Sequence, residues 1–234
     1  MNELVRDANA KGSLVERAAD AVRDYIAANS LKVGDALPGE GRFAEELGVS
    51  RPVMREAFGA LAALRVIDVA NGRRARVGAI DGSVMAASIG HAVSTAQVSL
   101  ADVWDVRRTL ELRTAELAAH NRTEAQAEAI LRAAHDLALS RDERSTTLAD
   151  TAFHQTIALA SGNELYFQIV RSFEQMMAVA IPKAWAGRQS PAARAETLEL
   201  HRTVAEAIAA GDGSGARDAM DRHFDRSIDD IFAT

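Results

Sequence analysis

Residues 41–63 have the sequence GRFAEELGVSRPVMREAFGALAA. This pattern predicts a short helix over 41–47, a tight turn at Gly48 and a longer helix that Ser50 caps and that ends near Ala63. Apolar residues at helical spacing give both helices one face for burial. Two helices joined by so short a turn indicate a helix-turn-helix.

The flanking segments extend this unit to a winged helix-turn-helix. Upstream, Ser13-Leu14-Val15-Glu16 is a capping box, and the apolar stripe that follows it predicts a first helix. Downstream, the strand-like run 66–69 and the arginine-rich run 73–77 are separated by Asn71-Gly72, a strong hairpin signal. Three helices and a hairpin wing are therefore expected to form a first domain, residues 1–78.

The rest of the chain carries only helical periodicity. Residues 79–98 are expected to form a partly helical connector. From Ser99 to the C-terminus about six helical segments follow, one of them opened by the capping-box pattern Thr123-Glu124-Ala125-Gln126. We therefore predict a mostly α fold, in which an all-α antiparallel helical bundle over 99–234 follows the winged helix-turn-helix.

Composition narrows the class of protein. The 234 residues include no cysteine, which excludes disulfides and thiolate metal sites. No run approaches the roughly 20 apolar residues of a transmembrane helix and no secretory signal is visible, so a cytoplasmic protein without a membrane partner is expected. The net charge is −6, but residues 1–78 carry +1 and residues 50–78 carry +4. A local basic patch of this kind is typical of nucleic-acid binding.

Candidate DNA contacts follow from the geometry of the motif. A recognition helix enters the major groove with its N-terminal end, where Ser50, Arg51 and Arg55 lie. Arginine can bind guanine O6 and N7 bidentately or grip a phosphate. Each of these arginines, taken alone, is also typical of an ordinary protein surface. The helix-turn-helix spacing and the hairpin, taken together, favour DNA binding. The wing adds three arginines that would follow the DNA backbone or the minor groove: Arg73, Arg74 and Arg76.

The sequence of this first domain resembles that of the GntR-type regulators. The resemblance rests on Leu37-Pro38-Gly39-Glu40, Ala44-Glu45, Gly48-Val49-Ser50-Arg51 and Val53-Met54-Arg55-Glu56-Ala57. It implies a set of DNA contacts, the last two at the wing tip: Ser50, Arg51, Arg55, Asn71 and Gly72. The family usually has arginine directly after the Glu of its motif. That place holds Gly41 here, and Arg42, the next residue, joins the DNA-contact candidates.

The bundle contains a candidate metal-binding set. Asp150 and His154 are one helical turn apart and project from the same face, and His201 and His223 lie in the last two helices. One carboxylate and three imidazoles suit a divalent ion such as Zn²⁺, Ni²⁺, Mn²⁺ or Fe²⁺. From the residues alone, an Asp-x₃-His pair is common by chance, and the two later histidines, each taken alone, fit a surface or hydrogen-bonded role better than a metal ligand.

Residues 99–234 also resemble the helical ligand-binding domain of the FadR branch, the FCD domain. The resemblance rests on Val106-Arg107, Leu110-Glu111, Ala118-Ala119, Asp150-Thr151-Ala152-Phe153-His154, Ser161-Gly162-Asn163, His201, Ala207-Ile208, Gly211-Asp212 and His223. It implies one divalent metal, Zn²⁺ in the first place, whose ligands correspond to Asp150, His154, His201 and His223. It further implies that Arg107 lies near the metal and binds an anionic effector, a small carboxylate such as a hydroxy acid, a sugar acid or a dicarboxylate.

Three functions compete. The preferred interpretation is a ligand-responsive regulator without enzymatic activity, a homodimer that binds double-stranded operator DNA and represses a catabolic operon. The second is a constitutive dimeric DNA-binding protein with a structural metal, which would favour a closed tetrahedral shell and no bound anion. The third is a metalloenzyme that activates water. It is disfavoured because spacing places no carboxylate other than Asp150 beside the metal and because the DNA-binding head is left unexplained.

Overall fold

The computed structural model describes residues 12–187 and 190–232. It divides into two units, one ending at Val84 and the other beginning at Met85. This division falls inside the connector predicted over 79–98. The first eleven residues of the predicted DNA-binding domain lie outside the described part of the chain.

The N-terminal unit consists of three helices and a two-stranded wing. Its elements are α1 (Leu14–Ala28), α2 (Glu40–Leu47), α3 (Arg51–Ala63), β1 (Ile67–Asp68) and β2 (Arg76–Val77). Both α1 and α2 pack against α3. At the centre of the core Phe43 meets Tyr25 and Phe58 edge-to-face, with ring centroids 5.2 and 5.9 Å apart. Each helix thus contributes one aromatic ring to a single small core.

The helix boundaries in this unit follow the sequence signals. Ser13 and Glu16 form the predicted capping box at the start of α1. Gly48 ends α2 in the left-handed region, with φ +66°, where a residue with a Cβ would be strained. The Ser50 hydroxyl accepts a hydrogen bond from the Val53 N–H and caps α3. The predicted helix-turn-helix is confirmed.

The wing forms where it was predicted, but its ladder is short. The two strands are antiparallel and pair Ile67 with Val77 and Asp68 with Arg76. Between them the Arg73 N–H donates to the Ala70 carbonyl at 3.1 Å, around a turn in which Gly72 has φ +73°. The Ala75 carbonyl accepts instead from the Leu37 N–H at 2.8 Å. The second arm therefore bonds partly to the chain before α2, which limits its pairing with β1.

The C-terminal unit is an all-α bundle. The helices that follow the wing are α4 (Ser83–Ser94), α5 (Leu100–Asn121), α6 (Glu124–Leu139), α7 (Glu143–Ala160), α8 (Glu164–Ser172), α9 (Glu174–Gly187), α10 (Pro191–Ala210) and α11 (Gly213–Phe232). The predicted N-caps Ser99 and Thr123 begin α5 and α6. α5 packs against α7, α10 and α11 around a core that includes Phe153 and Phe224. The predicted mostly α fold is confirmed.

The described residues from Ser99 onward hold seven helices, one more than the periodicity indicated. One break between helices, that between α8 and α9, falls at Phe173, a buried residue in the right-handed helical region. No glycine or proline marks this position, so no breaker signal was available in the sequence. None of the described helices is both long enough and apolar enough to cross a membrane.

Candidate functional site

The buried ionisable side chains of the described residues are gathered in one place in the helical bundle. They are Arg107 and Glu111 from α5, Asp150 and His154 from α7, His201 from α10 and His223 from α11. A buried charge is costly unless it is paired or coordinates a metal ion. Six such groups in one cluster therefore indicate a site for binding rather than an ordinary core.

Three imidazoles form the centre of this cluster. One ring nitrogen from each of His154, His201 and His223 lies within 4.8 Å of the other two. The ring centroids of His201 and His223 are 4.3 Å apart, and those of His154 and His223 are 5.1 Å apart. Phe153 packs edge-on against the rings of His154 and His201. The structure thus brings together three of the four ligands considered from the sequence.

Asp150, the fourth, lies beside two of the imidazoles. Its Oδ1 is 3.2 Å from the Nε2 of His201, and its Oδ2 is 3.8 Å from the Nε2 of His154. Burial opposes ionisation of this carboxyl, but the contact with His201 and the charges of His154 and Arg107 hold its pKa well below its usual range. Asp150 is therefore an anion that lies beside two of the three imidazoles.

The hydrogen bonds of His201 determine which nitrogen faces Asp150. Its Nδ1 donates to the Thr197 carbonyl at 2.8 Å, one turn earlier on α10. A neutral ring protonated at Nδ1 turns a lone pair at Nε2 toward the carboxylate oxygen of Asp150. Two acceptors 3.2 Å apart repel each other unless a proton or a metal ion lies between them. This pair is suited to holding a cation.

Two other ring nitrogens of the cluster have no hydrogen-bond partner. They are Nε2 of His154 and Nδ1 of His223, both buried. Burial, reinforced by the neighbouring rings of His201 and His154, lowers the pKa of His223 well below 6.5, so its imidazole is neutral at pH 7. Buried polar atoms are normally satisfied. Imidazole nitrogens that converge beside a carboxylate fit a borderline divalent ion.

Glu111 is a site residue that the sequence interpretation missed. Its Oε1 accepts a hydrogen bond from Nε of Arg107, one turn away on α5, and its Oε2 contacts Nδ1 of His154. Burial opposes its ionisation, but Arg107 and His154 lower the pKa of Glu111 below its ordinary value. The structure therefore adds a second buried carboxylate to the cluster, one that spacing alone did not place there. The i, i+4 spacing of Arg107 and Glu111 was visible, but nothing local turns that pair inward.

Arg107 is buried within the same cluster. Its guanidinium carbon lies 5.3 Å from the ring centre of Trp104 and 5.6 Å from that of Phe224. Its Nη1 meets the sulfur of Met177. Since Glu111 already accepts from Nε, an added anion would have to approach the Nη groups. Arg107 is thus near the histidines, as expected, but it already has a counter-ion.

The predicted DNA contacts are exposed residues of the N-terminal unit. They are Arg42, Ser50, Arg51, Arg55, Asn71, Gly72, Arg73 and Arg74, here called the DNA-contact set. On α3 the side chains of Met54 and Phe58 are buried, which leaves Arg51 and Arg55 on the outer face near the N-terminus. Arginines one turn apart on an exposed face can enter one DNA groove together.

Two arginines of the DNA-contact set have acidic neighbours. Nε of Arg42 donates to Oε1 of Glu46 at 2.6 Å, within α2. Nε of Arg55 is 3.8 Å from Oε2 of Glu40. Exposed pairs of this kind contribute little to stability, so either arginine can exchange its partner for DNA.

The arginines of the wing differ in their hydrogen-bond partners. Arg73 and Arg74 are exposed beside the Asn71-Gly72 tip. Arg76, which is also exposed and was also expected to follow DNA, donates to the Gly34 carbonyl. It therefore holds the base of the wing within the N-terminal unit.

The fold and these two sites define a class of protein, a transcription regulator with a winged helix-turn-helix and a helical domain that contains a buried polar site. The chain belongs to the GntR family. The family model described as "Bacterial regulatory proteins, gntR family" matches residues 14–77, and the family model of the FCD domain matches residues 102–226. It is therefore a regulator and not an enzyme.

Relatives agree in sequence and in structure. The chain is 31% identical over 218 residues to a regulatory protein assigned to the L-lactate dehydrogenase operon of Escherichia coli (strain K12), covering 90% of this chain and 83% of that protein. It is 34% identical over 170 residues to the Glc operon transcriptional activator of the same strain, covering 70% and 67%. The solved structure of Streptococcus agalactiae GntR matches with a TM-score of 0.63 and 27% identity, covering 90% and 97%.

Proposed function

We propose that this regulator senses a small organic or sugar acid through a divalent metal in its helical domain, and that the acid changes its affinity for operator DNA. The observation that carries the proposal is the buried convergence of three imidazoles beside a carboxylate, in which two ring nitrogens have no hydrogen-bond partner. A bound cation would coordinate the lone pairs of these buried nitrogens, which are otherwise costly to bury without a partner.

The proposed metal ligands are Asp150, His154, His201 and His223. Mixed nitrogen and oxygen donors without thiolate suit Zn²⁺, with Ni²⁺, Mn²⁺ and Fe²⁺ as alternatives. The ion would supply positive charge and coordination positions for oxygen atoms of a ligand. Four protein donors leave two positions of an octahedral shell, enough for a bidentate carboxylate.

The proposed effector is a small carboxylate, for two reasons. Arg107 adds a second positive charge near the imidazoles, and its Nη groups can donate to carboxylate oxygens. Two relatives are named for the L-lactate dehydrogenase and Glc operons, and lactate is a hydroxy acid. A metal ion and an arginine together would recognise such an acid through its oxygen atoms.

The DNA-contact set is proposed to bind double-stranded operator DNA in the cytoplasm, as part of a homodimer. One winged head reaches only a short half-site, so two heads on symmetry-related half-sites are needed for selectivity. We propose repression of a catabolic operon, relieved when the acid binds. Because one relative is named an activator, expression of the neighbouring operon in a deletion strain tests the sign of regulation.

Metal content tests the first part of the proposal. Elemental analysis of protein purified without chelators should find close to one divalent ion per chain. His201→Ala should remove most of it, whereas His91→Ala, which changes an exposed histidine on α4, should not. Folded protein that binds none of Zn²⁺, Ni²⁺ and Mn²⁺ would contradict the proposal.

Calorimetric titration of hydroxy acids and sugar acids tests the sensing step. Binding should require the metal and should weaken in Arg107→Met. Operator DNA should change the affinity for the acid by about 5- to 150-fold, and the acid should change the affinity for DNA by the same factor. Metal-loaded protein that binds no acid while binding DNA would favour the alternative, a constitutive DNA-binding protein with a structural metal.

A further inference from the structure

Glu111 is the buried carboxylate, among the described residues, that the proposed metal set does not use. It is 1% exposed and lies between Arg107 and His154, with one oxygen for each. We propose that Glu111 is a positioning residue, which orients His154 toward the metal and Arg107 toward the acid at the same time. This inference rests on the proposed function and adds the residue that connects the two ligand-binding groups.

The contact with Glu111 determines which nitrogen of His154 is available. An ionised carboxylate only accepts hydrogen bonds, so Nδ1 of His154 carries the proton. The other nitrogen, Nε2, then keeps its lone pair. It has no hydrogen-bond partner and lies 3.8 Å from Oδ2 of Asp150, on the side of the proposed metal. A carboxylate behind a histidine is a common way of orienting a metal-binding imidazole.

The second oxygen of Glu111 holds Arg107. It accepts from Nε while the guanidinium lies against the rings of Trp104 and Phe224. Without Glu111 the guanidinium would be a buried charge without a carboxylate partner, which is strongly destabilising. With Glu111 in place Nε is occupied, and because Nη1 meets the sulfur of Met177, Nη2 is the group left for a ligand. Glu111 thus sets which edge of Arg107 an acid would meet.

Glu111→Gln separates this role from packing. Glutamine has the shape of glutamate but only one acceptor oxygen, and both partners of Glu111 are donors. Because the guanidinium of Arg107 is always protonated, the amide oxygen should turn to Arg107 and the NH₂ group to His154. The NH₂ group would then donate to Nδ1 of His154 and move the ring proton to Nε2. Zn²⁺ affinity should fall by about 10- to 100-fold.

The test uses the full chain and two readouts. Competition with a chelator measures Zn²⁺ affinity, and ¹⁵N NMR of labelled histidines identifies the protonated nitrogen in metal-free protein. Glu111→Gln should convert His154 from the Nδ1–H to the Nε2–H tautomer and leave His201 unchanged. Glu116→Gln is the matched control, because Glu116 lies on the same helix, is partly exposed and pairs with Arg113 at 2.8 Å. It should match wild type in both readouts.

A double variant covers the case in which Glu111→Gln does not fold. In Arg107→Met/Glu111→Met both charges are replaced by apolar side chains of similar length, so that no unpaired charge of this pair stays buried and the net charge is that of wild type. The double variant should bind Zn²⁺ about 10- to 100-fold more weakly than wild type, because His154 has lost the acceptor that fixes its tautomer.

The outcomes separate this inference from the proposed function. Equal Zn²⁺ affinity and an unchanged His154 tautomer in variants that lack Glu111 would overturn its positioning role and leave the metal site intact. If wild-type protein binds none of Zn²⁺, Ni²⁺ and Mn²⁺, metal-dependent sensing fails. A His154 tautomer that follows Glu111 in metal-free protein would then still support the positioning of the imidazole.

Discussion

Replacing Arg51 or Arg55 by alanine should weaken operator binding without changing the fold. Both side chains are exposed on the outer face of α3, whereas Met54 and Phe58 face the core. Surface substitutions that remove no cap, turn or buried contact usually change the free energy of unfolding by less than about 0.5 kcal/mol. A change in DNA affinity therefore reports the contact with DNA.

The expected magnitude depends on the kind of contact. An arginine that is bidentate to a base contributes about 1–3 kcal/mol, which is about 5- to 150-fold in Kd, and its loss affects the operator alone. A phosphate contact weakens binding to every sequence and lowers the salt slope by about one. In the free protein the side chain of Arg55 is 77% exposed and 3.8 Å from Glu40. That exposed ion pair stabilises the free protein by at most about 1 kcal/mol. Breaking it therefore offsets only part of the binding free energy that the contact with DNA contributes.

Fluorescence anisotropy over a range of salt concentrations distinguishes these cases. The probes are an operator selected from random duplexes and an unrelated duplex of the same length. Arg23→Ala is the matched control, because Arg23 is exposed on α1, pairs with Asp20 and lies outside the DNA-contact set. If Arg51→Ala and Arg55→Ala bind both duplexes like wild type at every salt concentration, α3 is not the recognition helix.

Two further results are expected. Light scattering should give a dimer at micromolar concentration on an operator with two symmetry-related half-sites; one monomer bound per site would contradict this. Metal-free protein should lose unfolding free energy, on the order of 1 kcal/mol, as the pH falls from 7.5 to 5.5, because burial lowers the pKa of His223 well below 6.5 and only the unfolded chain then takes up the proton. This stabilisation is present above about pH 7 and is lost as the pH falls through 6.5; an equal loss in His223→Leu, followed by tryptophan fluorescence, would refute it.

The N-terminal fold could be predicted because its signals are local. The capping box at Ser13, the left-handed Gly48 and the Asn71-Gly72 turn each act within a few residues. The extent of the wing ladder could not be predicted in the same way. It depends on the hydrogen bond between Leu37 and Ala75, which are far apart in the chain.

The candidate site was predictable only in part, for the same reason. Asp150 and His154 share a helix face by spacing alone, but their approach to His201 depends on how the long helices of the bundle pack. The family resemblance pointed to that approach; periodicity did not. Glu111 remained unrecognised because an i, i+4 pair with Arg107 is common on exposed helices, and its burial follows from the packing of α5 against α7 and α11.

The buried charges of the site bear on which acid it would accommodate and on whether the metal or the acid would bind first. Asp150 and Glu111 are two anions and Arg107 is one cation, so these three side chains together carry one net negative charge. A carboxylate entering this site alone would meet a negative potential. A divalent ion reverses the sign and leaves one net positive charge, which is costly in an interior of low dielectric constant. One monocarboxylate then restores neutrality, whereas a dicarboxylate would make the site negative again. On the proposed function, metal binding is therefore expected to precede acid binding, and a hydroxy acid with a single carboxylate balances these charges best.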